Sequence, residues 1–155
     1  MGALVKIYTD GGASGNPGPG GYGAVMLSGV HRKELSGAFR MTTNNRMELL
    51  AVIIALETLK NPGTEVTIYS DSKYVVDSVM KKWVFGWVKK NFKDKKNPDL
   101  WKRFLKIYAQ HKVNFVWVKG HAGNEFNEVA DRLAVSAYQQ GVLEVDEAYE
   151  ATIVD

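Results

Sequence analysis

Cysteine is absent from the 155 residues, which excludes disulfide bonds and thiolate metal sites and is typical of a reducing compartment. The chain also lacks an apolar run of the roughly 20 residues that a membrane-spanning helix needs. Its first residues, MGALVKIYTD, contain no basic stretch followed by a long apolar one, so we expect no signal peptide. Together these absences predict a soluble, cytoplasmic protein without a membrane partner.

Acidic residues are scarce in one stretch of the chain. Residues 81–96, KKWVFGWVKKNFKDKK, contain seven lysines and one acid, a net charge of +6. Because the whole chain carries +3, the other residues together carry −3. A local basic patch on a near-neutral body is typical of a protein that binds a polyanion. The alternative explanation is that these lysines only increase solubility.

The hydrophobic content of 45% and the length suit one folded domain. Apolar patterns and Gly/Pro turns predict the element order βββαβααβα. Strands separated by helices imply parallel crossovers, so we expect an α/β fold with a mixed sheet flanked by helices. The predicted strands cover 3–12, 22–29, 32–40, 65–71 and 112–120, and the predicted helices 42–63, 72–83, 99–111 and 126–141.

We place the domain at residues 1–142, followed by an acidic C-terminal tail at 143–155. This tail contains five acids and no base. The sequence leaves two alternatives open for it: it is frayed, or it packs back onto the domain. Because the first predicted strand begins almost at Met1, we also expect no additional N-terminal domain.

Two predicted strands end on an aspartate after the same lead-in: IYTD ends on Asp10, and IYSD ends on Asp71. Neighbouring strands lie about 5 Å apart, so the carboxylates at two parallel strand ends can share one site. Each aspartate alone has a simpler explanation, because Asp-Gly forms turns and aspartate caps helices. The repeated design favours a shared site.

Glu48 and Asp131 interrupt otherwise apolar helical stripes. A carboxylate on an apolar face must be paired, neutralised or bound to a metal. The alternative is that both lie at helix ends, where the stripes reach solvent. Together the four carboxylates form a set of hard oxygen ligands, which suits Mg²⁺ or Mn²⁺ rather than zinc. Two such ions, roughly 3.5–4 Å apart, support in-line displacement at a phosphodiester.

Four stretches carry a specific resemblance: YTDGGASGNPGPGGYGAV, TTNNRMELLAVIIALE, IYSDSKYV and VKGHAGNEFNEVADRLA. In this order they resemble type 1 ribonuclease H in its bacterial form, over nearly the whole chain up to about Gly141. The resemblance implies the ribonuclease H-like fold with a five-stranded mixed sheet. It also implies a monomeric endonuclease that binds RNA–DNA hybrids and cleaves their RNA strand independently of sequence, leaving 3′-hydroxyl and 5′-phosphate ends.

The resemblance also assigns residues at the catalytic site. It implies two Mg²⁺ ions, which Mn²⁺ can replace, held by Asp10, Glu48, Asp71 and Asp131. It places a catalytic histidine of a mobile loop at His121, which lies between glycines in GHAG and titrates near neutral pH. Without the resemblance, His121 reads as a solvated loop residue.

Substrate contacts follow from the same resemblance. Those expected along the RNA strand are Gly11, Gly12, Asn16, Asn44 and Asn45, because their amides and close backbone approach suit 2′-hydroxyl readout. Thr43 is placed at a phosphate of the DNA strand. A basic handle at about 81–97 is expected to meet the same strand. The remaining expected contacts are Ser72, Lys73, Lys81, Lys82, Trp83, Lys89 and Lys90.

Some positions depart from the family pattern, which often has glutamine at Lys73, arginine at Met41 and asparagine at Gly86. These departures bear on the DNA-strand contacts and not on the chemistry. Core packing is the alternative role for the aromatic residues of the handle, and we favour it for Phe85. We interpret Trp101 and Trp117 as core residues.

Three other functions share parts of this pattern. A silent hybrid-binding module would lack one of the acids, and none is missing. A polynucleotidyl transferase core would lack TTNNRMELLA and the handle. A domain of a reverse transcriptase would have further sequence upstream. A single-stranded-DNA-binding protein is a partner by family analogy only.

Overall fold

The computed structural model describes residues 4–120 and 124–153. Five strands and six helices lie in these ranges. In chain order they are β1 (Leu4–Ala13), β2 (Gly18–Ser28), β3 (His31–Thr42), α1 (Asn44–Thr58), β4 (Glu65–Ser70), α2 (Lys73–Met80), α3 (Trp83–Lys89), α4 (Pro98–Tyr108), β5 (Lys112–Trp117), α5 (Glu125–Gln140) and α6 (Glu147–Thr152).

The strands form one mixed sheet in the order β3-β2-β1-β4-β5. The first three strands form an antiparallel meander, whereas β4 pairs parallel to β1 and β5 pairs parallel to β4. Tyr8 lies opposite Tyr69 in the β1–β4 register. Asp10 and Asp71 each follow that pair by two residues, so both lie at the same edge of the sheet. The strand order and the mixture of parallel and antiparallel pairs confirm the predicted five-stranded mixed sheet.

Helices cover both faces of the sheet. The larger core contains most of the apolar side chains of α1 and the fully buried side chains of Trp101 and Phe104 from α4. A smaller core, built on Tyr8, Val25 and Ala130, lies under α5. Here α5 rests directly on β2, because a Cβ at Gly23 would overlap the carbonyl oxygen of Ala130. This close contact places α5, with Asp131, beside the end of β1.

Two short helices are absent from the predicted element order. The first, α3, lies inside the basic handle, where Val84 is fully buried and Phe92 is 6% exposed. The second, α6, lies in the acidic tail and begins after Asp146, whose carboxylate accepts a hydrogen bond from the Tyr149 amide. Both are shorter than eight residues, too short for a periodic apolar pattern to separate them from turns.

The described part of the acidic tail packs onto the domain. The Glu144 amide donates to the Ala38 carbonyl, and the Arg40 amide donates to the Glu144 carbonyl. Arg46, only 4% exposed in its side chain, donates to both carboxylate oxygens of Asp146 at 2.8 and 2.9 Å. Of the two alternatives left open by the sequence, the structure therefore shows packing over residues 143–153.

No helix in the described ranges has the length and apolar character needed to cross a bilayer.

Candidate active site

Three carboxylates meet at the edge of the sheet where β1 and β4 end. Asp10, Glu48 and Asp71 each offer an oxygen, and these oxygens all lie within 4.8 Å of one another. The backbone amide of Gly11 donates to Asp10 Oδ1 at 2.9 Å and orients that carboxylate. The strand ends and the first turns of α1 thus bring together three of the four acids predicted as ligands.

Gly11 explains how Glu48 comes so close to the strand end. A Cβ at Gly11 would lie 2.6 Å from the backbone nitrogen of Glu48, which is closer than real side chains come. Only glycine therefore allows α1 to approach β1 at this level. The close approach directs the side chain of Glu48 across the end of β1 toward the two aspartates.

The surroundings of Glu48 strongly disfavour its charged form. Its Oε1 atom is buried and has no hydrogen-bond partner among the described residues. Burial, followed by the charges of Asp10 and Asp71, raises the pKa of Glu48 well above its ordinary value. A buried carboxylate without a donor is costly unless a proton or a cation neutralises it.

Asp131 joins the group from α5. Burial is the main reason that the pKa of Asp10 rises to about 8, and the nearby carboxyl groups of Asp131 and Asp71 add to it. The amide of Gly11 opposes this rise. Four carboxyl groups thus share one site, where the surroundings disfavour the ionised forms of Asp10 and Glu48.

These groups line one open cleft of about 420 Å³. Its walls also include Gly12, Ala13 and Asn44 on one side and Val135 and Tyr138 of α5 on the other. A second cleft of about 230 Å³ lies beside Arg46, Asp99 and the tail, and contains none of the four acids. The cleft at the strand ends is therefore the one suited to the predicted chemistry.

The donor set suits hard divalent cations. It consists of carboxylate oxygens, with no cysteine in the chain, and a bound cation would neutralise the buried, unpartnered Glu48 Oε1. A pair of divalent ions would supply the positive charge that four clustered carboxylates lack.

The predicted RNA-strand residues form a small network beside the cleft. Asn44 Oδ1 accepts from the Ala13 amide at 2.6 Å, and Asn16 Oδ1 accepts from the Asn44 amide at 2.9 Å. Neither Nδ2 group donates to any residue in the described ranges. The two side chains are therefore held by their oxygens, and Asn16, Asn44 and the neighbouring Asn45 are all exposed residues.

Thr43 and Ser72 are both helix caps. Thr43 Oγ1 accepts from the Arg46 amide at 3.2 Å, and Ser72 Oγ accepts from the Val75 amide at 3.2 Å. Capping leaves each hydroxyl hydrogen available, so a cap role and a phosphate contact are compatible. Their predicted roles as substrate contacts stay predictions.

The handle is a basic, largely exposed extension with an aromatic base. Trp87 packs edge-to-face on Trp101, with ring centroids 5.9 Å apart. In contrast, Trp83 is 47% exposed, and the Lys81 ammonium lies 5.3 Å from its ring centroid. Lys82, Lys89 and Lys90 are exposed as well. Core packing thus accounts for the positions of Trp87 and the half-buried Phe85. Trp83 and the lysines are exposed, so their predicted contacts with substrate stay predictions.

Trp117 is not a core residue, so that interpretation is wrong. Its side chain is 44% exposed because it lies at the last position of β5, an edge strand, beyond the end of the packed helices. Its Nε1 donates to the main-chain carbonyl of Asp71 at 3.2 Å, and the Lys73 ammonium lies 4.9 Å from its ring centroid. Sequence reasoning therefore missed a neighbour of the site.

His121 lies outside the described residues, so its predicted catalytic role stays a prediction. The preceding residue, Gly120, is described: a Cβ there would lie 3.0 Å from Asp71 Oδ2. The chain therefore enters the segment that contains His121 directly beside one of the predicted ligands.

Comparisons with known proteins agree with this geometry. Residues 3–139 match the family model described as RNase H. A curated ribonuclease H from Rippkaea orientalis is 57% identical over 151 residues, which are 94% of this chain and 92% of that protein. A curated ribonuclease HI from a Synechocystis species is 52% identical over 94% of both chains.

Solved structures show the same fold. LC9-RNase H1, described as a type 1 RNase H with the type 2 active-site motif, matches with a TM-score of 0.82 and 32% identity, over 99% of this chain and 83% of that one. LC11-RNase H1, solved in complex with an RNA/DNA hybrid, matches with a TM-score of 0.65 and 30% identity, over 88% and 97%. The chain therefore belongs to the RNase H family.

Proposed function

We propose that this enzyme hydrolyses the RNA strand of RNA–DNA hybrids at the cleft between β1, α1, β4 and α5, using two Mg²⁺ ions. Family membership supports the reaction class. The observation that carries the site is the convergence of Asp10, Glu48 and Asp71 oxygens within 4.8 Å, with one Glu48 oxygen buried and unpartnered.

The role of the carboxylates is to bind divalent cations at the edge of the sheet. When bound there, divalent ions would stabilise the negative charge on the phosphate and leaving oxygens during displacement. Asp10 and Glu48 hold protons most strongly in the absence of such ions, because burial and mutual repulsion disfavour their charged forms. Cation binding therefore has to displace these protons, which links metal affinity to pH.

Recognition of the hybrid divides between two surfaces. The side-chain amides of the exposed residues Asn16 and Asn44 and the main-chain amides near Gly12 suit the 2′-hydroxyls of an RNA strand. The lysines of the handle suit the phosphates of the paired DNA strand. The relative LC11-RNase H1 binds an RNA/DNA hybrid, which supports this arrangement. Backbone contacts carry no base information, so we expect cleavage that is independent of sequence.

His121 is proposed to assist the reaction by moving a proton or helping the product leave. Its sequence context supports this: His121 directly follows Gly120, which lies beside Asp71, and the histidine side chain is the one most often used for proton transfer. The expected products carry 3′-hydroxyl and 5′-phosphate ends.

The test is a cleavage assay with Mg²⁺ on four end-labelled substrates of one sequence: an RNA–DNA hybrid, an RNA duplex, a DNA duplex and single-stranded RNA. We expect cleavage of the RNA in the hybrid alone. Analysis of the product ends then checks the predicted chemistry. Cleavage of the RNA duplex at a rate similar to that of the hybrid would contradict the proposed specificity.

A further inference from the structure

The end of β5 holds the turn that follows β4 through several contacts. The Val118 amide donates to the Ser70 carbonyl at 2.9 Å and extends the β4–β5 pairing by one bond. Next to it, Trp117 Nε1 donates to the Asp71 carbonyl at 3.2 Å. Gly120 then passes against the Asp71 carboxylate. Residues of β5 and its exit therefore surround Asp71 on its main-chain and side-chain sides.

Trp117 also touches the residue that begins α2. The Lys73 ammonium lies 4.9 Å from the centroid of its ring, within the range of a cation–π interaction. Lys73 is otherwise exposed on the protein surface. One indole thus contacts both ends of the Asp71–Lys73 turn, with its N–H on one end and its ring on the other.

An exposed tryptophan at the end of an edge strand contributes little to core packing. Trp117 is 44% exposed, whereas Phe115, two residues earlier on the same face of β5, is 7% exposed. The hydrogen bond and the cation–π contact of the Trp117 side chain are both with residues of the turn. Its position is therefore explained better by the turn than by the hydrophobic core.

We infer that Trp117 is a positioning residue for the proposed reaction: its N–H holds the main chain of Asp71, and its ring holds the Lys73 side chain toward the hybrid. This inference rests on the proposed function. The N–H contact acts on the metal-dependent step, and the ring contact acts on hybrid binding.

Two substitutions separate the two contacts. Trp117→Phe keeps an aromatic face for Lys73 and removes the N–H, whereas Trp117→Leu removes both. Val116→Ala is the matched control, because Val116 is the preceding residue of β5 and is 40% exposed. Thermal unfolding of each variant shows whether the fold is kept at the assay temperature.

For Trp117→Phe we expect a loss of about 3- to 10-fold in kcat or in apparent Mg²⁺ affinity, the size of one hydrogen bond, with KM within about twofold. The rise of Tm on adding Mg²⁺ should shrink in parallel. For Trp117→Leu we expect, in addition, hybrid binding in EDTA that is weaker by about 2- to 5-fold. Val116→Ala should match the wild type in kcat, KM, apparent Mg²⁺ affinity, the Mg²⁺-dependent rise of Tm and hybrid binding.

The inference is overturned if both Trp117 variants lower Tm but leave kcat, KM, Mg²⁺ dependence and hybrid binding unchanged. It is also overturned if Trp117→Phe and Trp117→Leu have the same effect on hybrid binding. A wild type that fails to cleave the hybrid would instead contradict the proposed function. In that case Mg²⁺-dependent Tm and hybrid binding in EDTA still decide the role of Trp117.

Discussion

Gly11 is the residue whose replacement the site tolerates least. A Cβ there would lie 2.6 Å from the Glu48 nitrogen, whereas a Cβ at the neighbouring Gly12 would lie 3.6 Å from Asn44 Oδ1. Gly11→Ala must therefore push α1 away from β1. We expect it to cost about 1–3 kcal/mol more in the free energy of unfolding than Gly12→Ala, as overpacking does.

The same displacement separates Glu48 from Asp10, so Gly11→Ala should also reduce the cleavage rate by about 10- to 100-fold. Urea unfolding and steady-state cleavage of both alanine variants check the two effects. Equal stability losses for Gly11→Ala and Gly12→Ala would show that α1 does not depend on this close approach.

Asp10 makes the metal-free protein sensitive to pH. Its pKa is raised from 3.8 to about 8, so between these values the folded protein keeps a proton that the unfolded chain releases. Stability contributed by this group is therefore present below about pH 4 and is lost as the pH rises toward 8. Asp10→Asn removes the titration, so we expect it to stabilise the metal-free protein at pH 8 by about 1–3 kcal/mol.

Urea unfolding in EDTA at pH 4, 6 and 8 measures this effect, and the gain should vanish toward pH 4. Asp94→Asn is the charge-matched control, because Asp94 is exposed and its left-handed backbone also suits asparagine. If the two variants respond alike to pH, the burial of Asp10 and its repulsion by the neighbouring acids are not the cause of the pH dependence.

At the scale of single residues, the sequence predicts the four acids of the site but not the residues that surround them. Asp10, Glu48, Asp71 and Asp131 stand out because carboxylates occur where apolar residues are expected. Trp117 does not stand out, because alternation in β5 tells which face a residue occupies and not where the packed helices end. Its hydrogen bond with Asp71 depends on a strand pairing that the sequence alone does not give.

At the scale of the elements, the clearest electrostatic prediction concerns the handle. Replacing Lys82, Lys89 and Lys90 by glutamine should weaken hybrid binding and reduce the slope of log Kd against log salt by about 2 to 3, since each phosphate contact releases counterions. Lys33, Lys60 and Lys106 are equally exposed and lie outside the handle. Their triple glutamine variant carries the same charge change and should leave the slope nearly unaltered.

Fluorescence anisotropy in EDTA, between 50 and 300 mM salt, measures both slopes without cleavage. Identical slopes for the two triple variants would assign the handle lysines to general solubility.

Element types follow from the sequence better than element ends. The strand and helix periods identify all five strands and four of the helices. The helix of the handle is missed because Gly86 interrupts a stretch of only seven residues, from Trp83 to Lys89. Inside it, burial of Val84 and packing of Trp87 on Trp101 outweigh the weak local preference.

Across the whole molecule, Arg46 connects parts of the chain that are far apart in sequence. It donates to Asp146 of the tail and to Asp99 at the start of α4, and Thr42 Oγ1 also donates to Asp146 at 2.9 Å. Among the described residues, Asp146→Asn leaves the buried guanidinium with Asp99 as its one remaining charged partner. We expect a loss of about 2–4 kcal/mol in the free energy of unfolding, as for other broken buried pairs.

Glu150→Gln is the control within the same tail. It removes the ion pair with Arg40, whose side chain is 59% exposed, so its effect should be much smaller. Chemical denaturation of both variants provides the comparison. If they lose the same stability, the tail is held by its backbone bonds and not by the buried charges.

This long-range connection is what the sequence hides at the scale of the molecule. The five acids of the tail suggest that it is exposed to solvent. Nothing in the sequence pattern shows that Asp146 pairs with Arg46, 100 residues away. The mixed character of the sheet, in contrast, follows from the alternation of strands and helices, since strands separated by helices pair in parallel.

The most direct test of the account is to measure hybrid binding and hybrid cleavage of Asp10→Asn beside the wild type. Asn keeps the shape of the side chain and removes a ligand charge, while Asn16, Asn44 and the handle remain. We predict cleavage reduced by at least about 1000-fold, with Kd for the hybrid in EDTA within about threefold of the wild type. Cleavage at the wild-type rate would show that Asp10 is not part of the catalytic site.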